Sequence, residues 1–404
     1  MLPSLTYAER YRNLGTRTYS KHADYTEADE RYRPDGSQES FLLTPFRVSK
    51  ERLLIYSANP PPEILSYYVQ EQDALFCLHP QTLERSVDPY LEEIRAHGTR
   101  TAPLRVSPSS STRTLFVLDG YPDHALKVHF PFRVSRYGRK MRDEVIEQAV
   151  NVSRELEADI DLLDQRFAFL REPLGIAHVN LDTSTARGEN WGYLVRDMRP
   201  FPLYPGEKPH LLPGFALYGQ DFFAPDAPPL LHALIDQDDP LAVVLESIML
   251  PIVRHWVDCY LHFGYMMEPH GQNTLLEIDT AGKIRRIVHR DLSVGLDMRR
   301  RRDVGRSATG LNNYNRMESG EFTSITYDMF TGSHFFDRIV TCCCQHSPHL
   351  QAEDFRRPCR ELFARLFPDH ARYMPRTVHY FSEQRDRFNK PLFVDTGQVP
   401  CWRP

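Results

Sequence analysis

Glu268, His270, Gln272 and Asn273 fall within six residues in the order Glu-x-His-x-Gln-Asn, and apolar, strand-like sequence follows at once. Asp291 comes after the next strand candidate. A carboxylate pair with an amide oxygen suits Mg²⁺, which takes oxygen ligands and keeps several waters. His270 could contact a phosphate or a carboxylate, or carry a proton. Each of these side chains alone reads as a hydrogen-bonded structural group. Five polar groups around one helix–hairpin junction, however, are costly to bury without a ligand.

Two further clusters carry the opposite charge. "SPSSSTRTLF" (107–116) is a Ser/Thr-rich loop with Arg113 that runs into a strand. Hydroxyls and backbone amides in such a loop can hold phosphate oxygens, and an arginine can clamp them in a bidentate way. Taken by itself the stretch reads as a surface loop. Lys127, Arg133, Arg136, Arg139 and Lys140 form the second cluster. Positions 127 and 133 are an even number apart and are expected on one strand face. Arg139 is expected near a helix N-terminus, which attracts anions. A solvated basic edge would explain most of this, but an unpaired ammonium at Lys127, inside "ALKVHFPF", would be costly. An anion-binding wall and an acid/amide wall together suggest an ATP–Mg²⁺ site with a polyanionic co-substrate.

The elements that must position these groups are legible in part. "DALFCLHPQTLE" (73–84) reads as a buried strand ending at His79-Pro80. Residues 115–134 read as two strands about a turn at Asp119-Gly120. Residues 138–160 have helical spacing of apolar positions, and 190–198 read as a strand. The densely prolyl and aromatic stretch 200–238 is expected to be a long connecting loop. Asp239 and Pro240 can start a helix whose stripe is Leu241, Leu245, Ile248, Ile252, Trp256 and Tyr260, kinked at Pro251 and ended by Gly264. A hairpin follows: "NTLLEID", "TAGK", "IRRIVHRD". Residues 300–330 are expected to be a mobile or ligand-facing loop and the C-terminal part mostly helical. The fold class expected is α+β, with a peripheral arm over 1–40, a sheet-containing lobe over 41–200 and a mainly helical lobe over 201–404.

The chain has 404 residues, 41% hydrophobic and 25% charged, with a net charge of −5. These values are ordinary for a globular protein and give no global case for nucleic-acid or membrane partners. No signal-peptide-like segment opens the sequence, and a cytoplasmic protein is expected. Seven cysteines, three of them consecutive at 342–344, lack metal-ligand spacing and are expected to be plain thiols.

At these residues the sequence resembles the siderophore synthetases that act independently of nonribosomal peptide synthetases, the aerobactin synthetase (IucA/IucC-like) family. "FCLHPQTLE" resembles that family's Val-His-Pro-Trp-Gln segment without the Trp. "SSSTRTL" resembles its Ser-Ser-x-Arg-Thr loop, and "LKVHFPFRVSRYGR" its Lys-x5-Arg-x5-Arg segment. "MEPHGQNTLL" resembles Glu-Ala-His-x-Gln-Asn, and "VHRDLSVG" resembles Arg-Asp-x-x-Gly with one extra residue before Gly295. The matches run in order from about residue 73 to 300.

The resemblance implies a multi-lobed synthetase fold with a palm of kinase-like character. It implies enzymes that use ATP and Mg²⁺ to adenylate citrate or a similar polycarboxylate, after which an amine or hydroxyl displaces AMP to give an amide or ester. It implies that Ser110, Ser111, Arg113 and Thr114 hold ATP phosphates, and that Lys127 and Arg139 contact phosphate or substrate carboxylates. His270 would sit near the α-phosphate, while Glu268, Gln272, Asn273 and Asp291 would hold Mg²⁺ and nucleotide. A homodimer is common in that family. The family's His-Pro-x-His-Pro-x-x-Lys motif is absent, and the chain is shorter than the usual member, so enclosure of the nucleotide must differ. A kinase-like phosphotransferase and a non-catalytic binding member are the alternatives. Against the kinase reading, Leu296 stands where the catalytic loop needs Asn.

Overall fold

The computed structural model describes residues 2–13, 25–119, 123–134, 137–181, 190–204, 210–235, 239–311, 316–385 and 391–404. Its first layer is a seven-stranded antiparallel sheet. In spatial order the strands are Phe41–Leu43, Leu104–Pro108, Thr114–Val117, His124–Val128, Gly192–Asp197, Leu174–His178 and Leu53–Ser57. The helix Asp143–Ala158 packs across this sheet with Ile146, Ala149, Val150 and Val152 buried, a stripe at spacings of three and four. It lies very close because two facing strand positions lack side chains. A Cβ on Gly175 would come 2.2 Å from Ile146 Cγ2, and one on Gly192 would come 2.4 Å from Ile146 Cδ1.

A second, five-stranded sheet has the order Pro200–Phe201, Phe167–Leu170, Ile284–His289, Thr274–Ile278, His210–Pro213. Its one parallel pair joins Phe167–Leu170 to Ile284–His289, so the sheet is mixed. The strand Phe167–Leu170 precedes a strand of the first sheet in sequence. The boundary expected at residue 200 is therefore crossed by the chain.

The expected long helix begins where Asp239 Oδ1 accepts the N–H groups of Leu241 and Ala242, and closes at Gly264 with φ +69°. A wide π-helical turn, Leu245–Met249, relieves the backbone just before Pro251, which sits in the first turn of the α-helix Leu250–Phe263. The run Pro240–Phe263 is long and apolar enough to cross a bilayer, with mean hydropathy 1.4. Its stripe of Ile248, Ile252, Trp256 and Tyr260 is completely buried in the main core.

Several local expectations are corrected. Residues 115–134 hold three strands, because the chain turns at His129 and Phe130–Val134 pairs with Tyr137–Arg139. Lys127 and Arg133 thus sit on different strands. The helix expected from 138 starts at Asp143, which leaves Arg139 at the end of a hairpin strand. The 73–84 segment is a strand over Asp73–Phe76 and a helix over Pro80–Arg85, because Pro80 fits a first helical turn and His79 Nδ1 caps Gln81 N–H at 3.1 Å. The 200–238 stretch contains two strands and the helix Leu230–Ile235. The 300–330 stretch contains Glu321–Ser324 and leads into a twelve-residue π-helix, Ile325–Phe336, with most of its side chains buried. The C-terminal helix Ala352–Leu366 is present, followed by a hairpin of His379–Arg385 with Pro391–Asp395 that its sequence did not announce. Cys342 and Cys343 are buried thiols, and among the described residues no three or more His, Cys, Asp or Glu side chains gather in a group that could hold a metal ion.

Candidate functional site

A polar cleft of about 220 Å³ opens between the two sheets. Its floor comes from the strand register of the first sheet. Lys127 is paired with Thr114 on one side and with Leu194 on the other, and Arg196 lies two residues from Leu194. Directly opposed residues share a face, and so do residues two apart. Thr114, Lys127 and Arg196 therefore point the same way.

The Ser/Thr-rich loop is the tight turn joining Leu104–Pro108 to Thr114–Val117. Ser109 and Thr114 close it, with Ser109 N–H donating to Thr114 O at 2.8 Å. Ser109 Oγ and Ser111 Oγ lie 3.0 Å apart, and Ser111 Oγ accepts the Thr114 N–H at 3.3 Å. Thr112 holds φ +67°, an unfavourable conformation for a β-branched residue. Asp291, on the far wall, holds φ +70°. Among the described residues only Asn59 also has a positive φ without being glycine. Two of the three strained positions thus face one cleft, as strain at functional sites does.

The far wall is built by the Glu-x-His-x-Gln-Asn turn and the hairpin after it. Asn273 and Thr274 N–H both donate to His270 O, and His270 Nδ1 accepts the Gln272 N–H at 3.2 Å. Gly271 must be glycine, since a Cβ there would lie 2.5 Å from the Tyr218 hydroxyl and 3.0 Å from Phe215 N. Arg290 ties the turn to the end of the strand Ile284–His289. Its N–H donates to Asn273 O at 3.0 Å and its Nε to Gln272 O at 2.6 Å.

The two walls meet at two contacts. Gln272 Nε2 donates to Ser110 Oγ at 3.3 Å, and Lys127 Nζ pairs with Asp291 Oδ1 at 2.7 Å. Among the described residues, six cationic side chains, Arg33, Arg113, Lys127, Arg139, Arg196 and Arg290, line the cleft against two carboxylates, Asp35 and Asp291. Burial opposes charge on Asp291, but Lys127, Arg196 and Arg113 hold its carboxyl well below the usual range. Burial and the neighbouring Arg139 lower Arg113 to about 10, so it stays cationic at neutral pH. Burial likewise lowers the Lys127 ammonium, with Asp291 opposing. Arg113 Nη1 is anchored by the carbonyls of Arg139 at 3.0 Å and Lys140 at 3.2 Å.

Of the residues singled out in the sequence, Ser110, Ser111, Arg113, Thr114, Lys127, Arg139, Gln272, Asn273 and Asp291 line this cleft together. Glu268 and His270 do not line it. His270 is buried, with its ring edge-on to Phe330, and burial and His334 lower it to about 3, so it is a neutral imidazole that shapes the turn. Arg133 stacks over Tyr25, and Arg136 lies outside the described residues.

About half of the cleft lining comes from residues that local sequence signals do not mark. The N-terminal stretch, expected to be peripheral, contributes Asn13, Tyr25, Thr26, Arg33 and Asp35. Gln81, of the His79-Pro80-Gln81 segment, holds it there by accepting Asp29 N–H and donating to Glu27 O, both at 2.8 Å. Arg196 was missed because it sits in an apolar-looking strand, and Arg290 stood in the Arg-Asp-x-x-Gly match without a role of its own. Their partners, Glu172 for Arg196 and Glu9 for Arg290, are far away in sequence.

The acidic side offers oxygen donors of the kind a divalent cation takes: Asp291 and Asn273 in the cleft, with Glu268 close enough to Asp291 to feel its charge. Burial, and then Asp291, raises Glu268 to about 8, so two carboxylates press on one another. The described residues offer no three-ligand protein cage. One or two carboxylates with an amide oxygen is the set by which Mg²⁺ is held beside substrate phosphates.

Comparison with known proteins adds the family. Residues 22–218 match the IucA / IucC family model. The fold likeness extends through the remainder. ATP-bound aerobactin synthetase IucA from a hypervirulent pathotype of Klebsiella pneumoniae superposes with TM-score 0.71 at 14% identity, over 91% of this chain and 70% of that one. The petrobactin biosynthesis protein AsbB of Bacillus anthracis gives 0.74 at 15% identity, over 100% of this chain and 75% of that one. Aerobactin synthetase IucC of Klebsiella pneumoniae gives 0.66 at 13%. The chain therefore has the multi-lobed α+β synthetase fold expected for an IucA/IucC member. No curated protein matches its sequence.

Proposed function

We propose that this protein is an ATP-dependent carboxylate ligase of siderophore or related small-metabolite synthesis. It adenylates citrate or a similar polycarboxylate and passes the acyl group to an amine or hydroxyl. The observation that carries this reading is the junction of the Ser110–Thr114 loop with Gln272, Asn273 and Asp291 across one cationic cleft. An IucA neighbour was solved with ATP bound, which supports nucleotide as the occupant.

In this reading Ser110, Ser111, Arg113 and Thr114 hold the phosphates, and Lys127 and Arg139 face the α-phosphate and the attacking carboxylate. That carboxylate oxygen bonds to the α-phosphorus as the bond to pyrophosphate breaks; an amine or hydroxyl then attacks the acyl carbon, loses a proton and releases AMP. Fixed Arg and Lys charges stabilise the negative charge that builds on the phosphate oxygens, without reorganisation at the moment of reaction. Glu268, Asn273 and Asp291 would hold Mg²⁺, whose charge offsets that of the triphosphate when bound. His270 supports the turn that presents Gln272 and Asn273. A cytoplasmic enzyme working on small molecules, as a monomer or homodimer, accords with this chemistry.

The test is product analysis with ATP, Mg²⁺, a panel of di- and tricarboxylates including citrate, and hydroxylamine as acceptor. AMP and pyrophosphate are expected in equal amounts, with a hydroxamate. ADP would instead identify a phosphotransferase, and neither product across the panel would identify a non-catalytic member.

A further inference from the structure

The helix Leu5–Tyr11 lies outside every motif discussed and outside the family-matched segment. Two consecutive residues on it nevertheless reach different parts of the cleft. Glu9 is completely buried. Its Oε2 accepts the Ser110 N–H at 2.9 Å, and its Oε1 lies 2.6 Å from Arg290 Nη2. One carboxylate therefore grips the loop of the floor and the arginine of the far wall. Arg10, also buried, donates from Nε to Pro34 O at 2.8 Å and from Nη2 to Gly36 O at 3.0 Å and Gln38 O at 2.8 Å. That turn carries Asp35 into the cleft. The helix is itself held to the body by Tyr7 and Arg12, which share Asp221.

A buried carboxylate is costly unless paired and hydrogen-bonded. Glu9 meets both conditions with groups that belong to the cleft. We infer that Glu9 is a positioning residue for the nucleotide phosphates. It fixes Ser110 and Arg290 relative to each other, so docking of Leu5–Tyr11 completes the cleft. This rests on the nucleotide reading above.

The test compares the full chain with Glu9→Gln, which keeps the size but not the charge. Three quantities are read: thermal midpoint, affinity for ATP–Mg²⁺ by calorimetry, and amide hydrogen exchange across residues 107–114. The variant is expected to melt within a few degrees of the parent, to bind ATP at least tenfold more weakly, and to exchange faster in 107–114. A merely structural residue would lower the melting point and leave the folded protein's affinity alone. Unchanged affinity and unchanged exchange in a folded variant would overturn the inference. Should Glu9→Gln fail to fold, Glu9→Asp, which keeps the charge but not the reach, must show the same two changes, and normal values there would overturn it equally. If the parent itself bound no ATP, the nucleotide reading would fail, while exchange in 107–114 would still decide whether Glu9 orders the loop.

Discussion

Replacing Arg113 with Ala is expected to cut the rate of pyrophosphate release by about 10²–10³-fold, the usual effect of removing one preorganised donor from a developing oxyanion. Arg113 is fixed from behind by the carbonyls of Arg139 and Lys140, so its position does not depend on a ligand. Its charge is also secure, since a value of about 10 leaves it protonated at neutral pH. Arg113→Lys should recover only part of the rate, because an ammonium supplies charge without the planar fork. The melting temperature should change little, as the lost hydrogen bonds are at the cleft edge. Steady-state pyrophosphate assays with both variants check this. Full activity in Arg113→Ala would remove the loop from the site.

Glu268→Gln is expected to flatten the pH dependence of stability between about pH 5 and 8. Glu268 keeps its proton in the folded protein up to about pH 8, against an ordinary value of 4.5. Between those values the folded state binds a proton that the unfolded chain has lost. Its contribution is thus present in full below 4.5 and is lost as pH rises towards 8. Each pH unit of that displacement is worth about 1.4 kcal/mol. Urea titrations of the parent should show stability falling across pH 5–8, and the Gln variant should show a shallower fall and greater stability at pH 8. Mg²⁺ with nucleotide should reverse the trend in the parent only, releasing a proton measurable in buffers of different ionisation enthalpy. Parallel pH curves for the two proteins would show that Glu268 is not perturbed.

How much of this was legible in the sequence depends on the range of each interaction. The hairpin after Asn273 and the helix from Pro240 were readable because period, cap and turn residues are local. The wide turn before Pro251 was not, since a proline announces a disturbed backbone without saying how it is accommodated. The Arg139 position was misjudged for a related reason: apolar spacing in 138–160 extends past the true helix start, and pairing with Phe130–Val134 claims Tyr137–Arg139 first. The Ser/Thr loop and Lys127 were recognisable because a buried-looking lysine demands a partner, though its partner Asp291 is 164 residues away. The N-terminal wall was invisible. Nothing local in a polar, Arg- and Tyr-rich stretch says that Gln81 and Arg10 will hold it over a cleft.

The proposed site depends on where the triphosphate binds, and a crystal structure of the protein with ATP, Mg²⁺ and citrate measures that directly. The phosphates are expected between the Ser110–Thr114 loop and Asn273 and Asp291, with Arg113 and Lys127 on their oxygens. Nucleotide bound elsewhere, with this cleft holding only water, would contradict it.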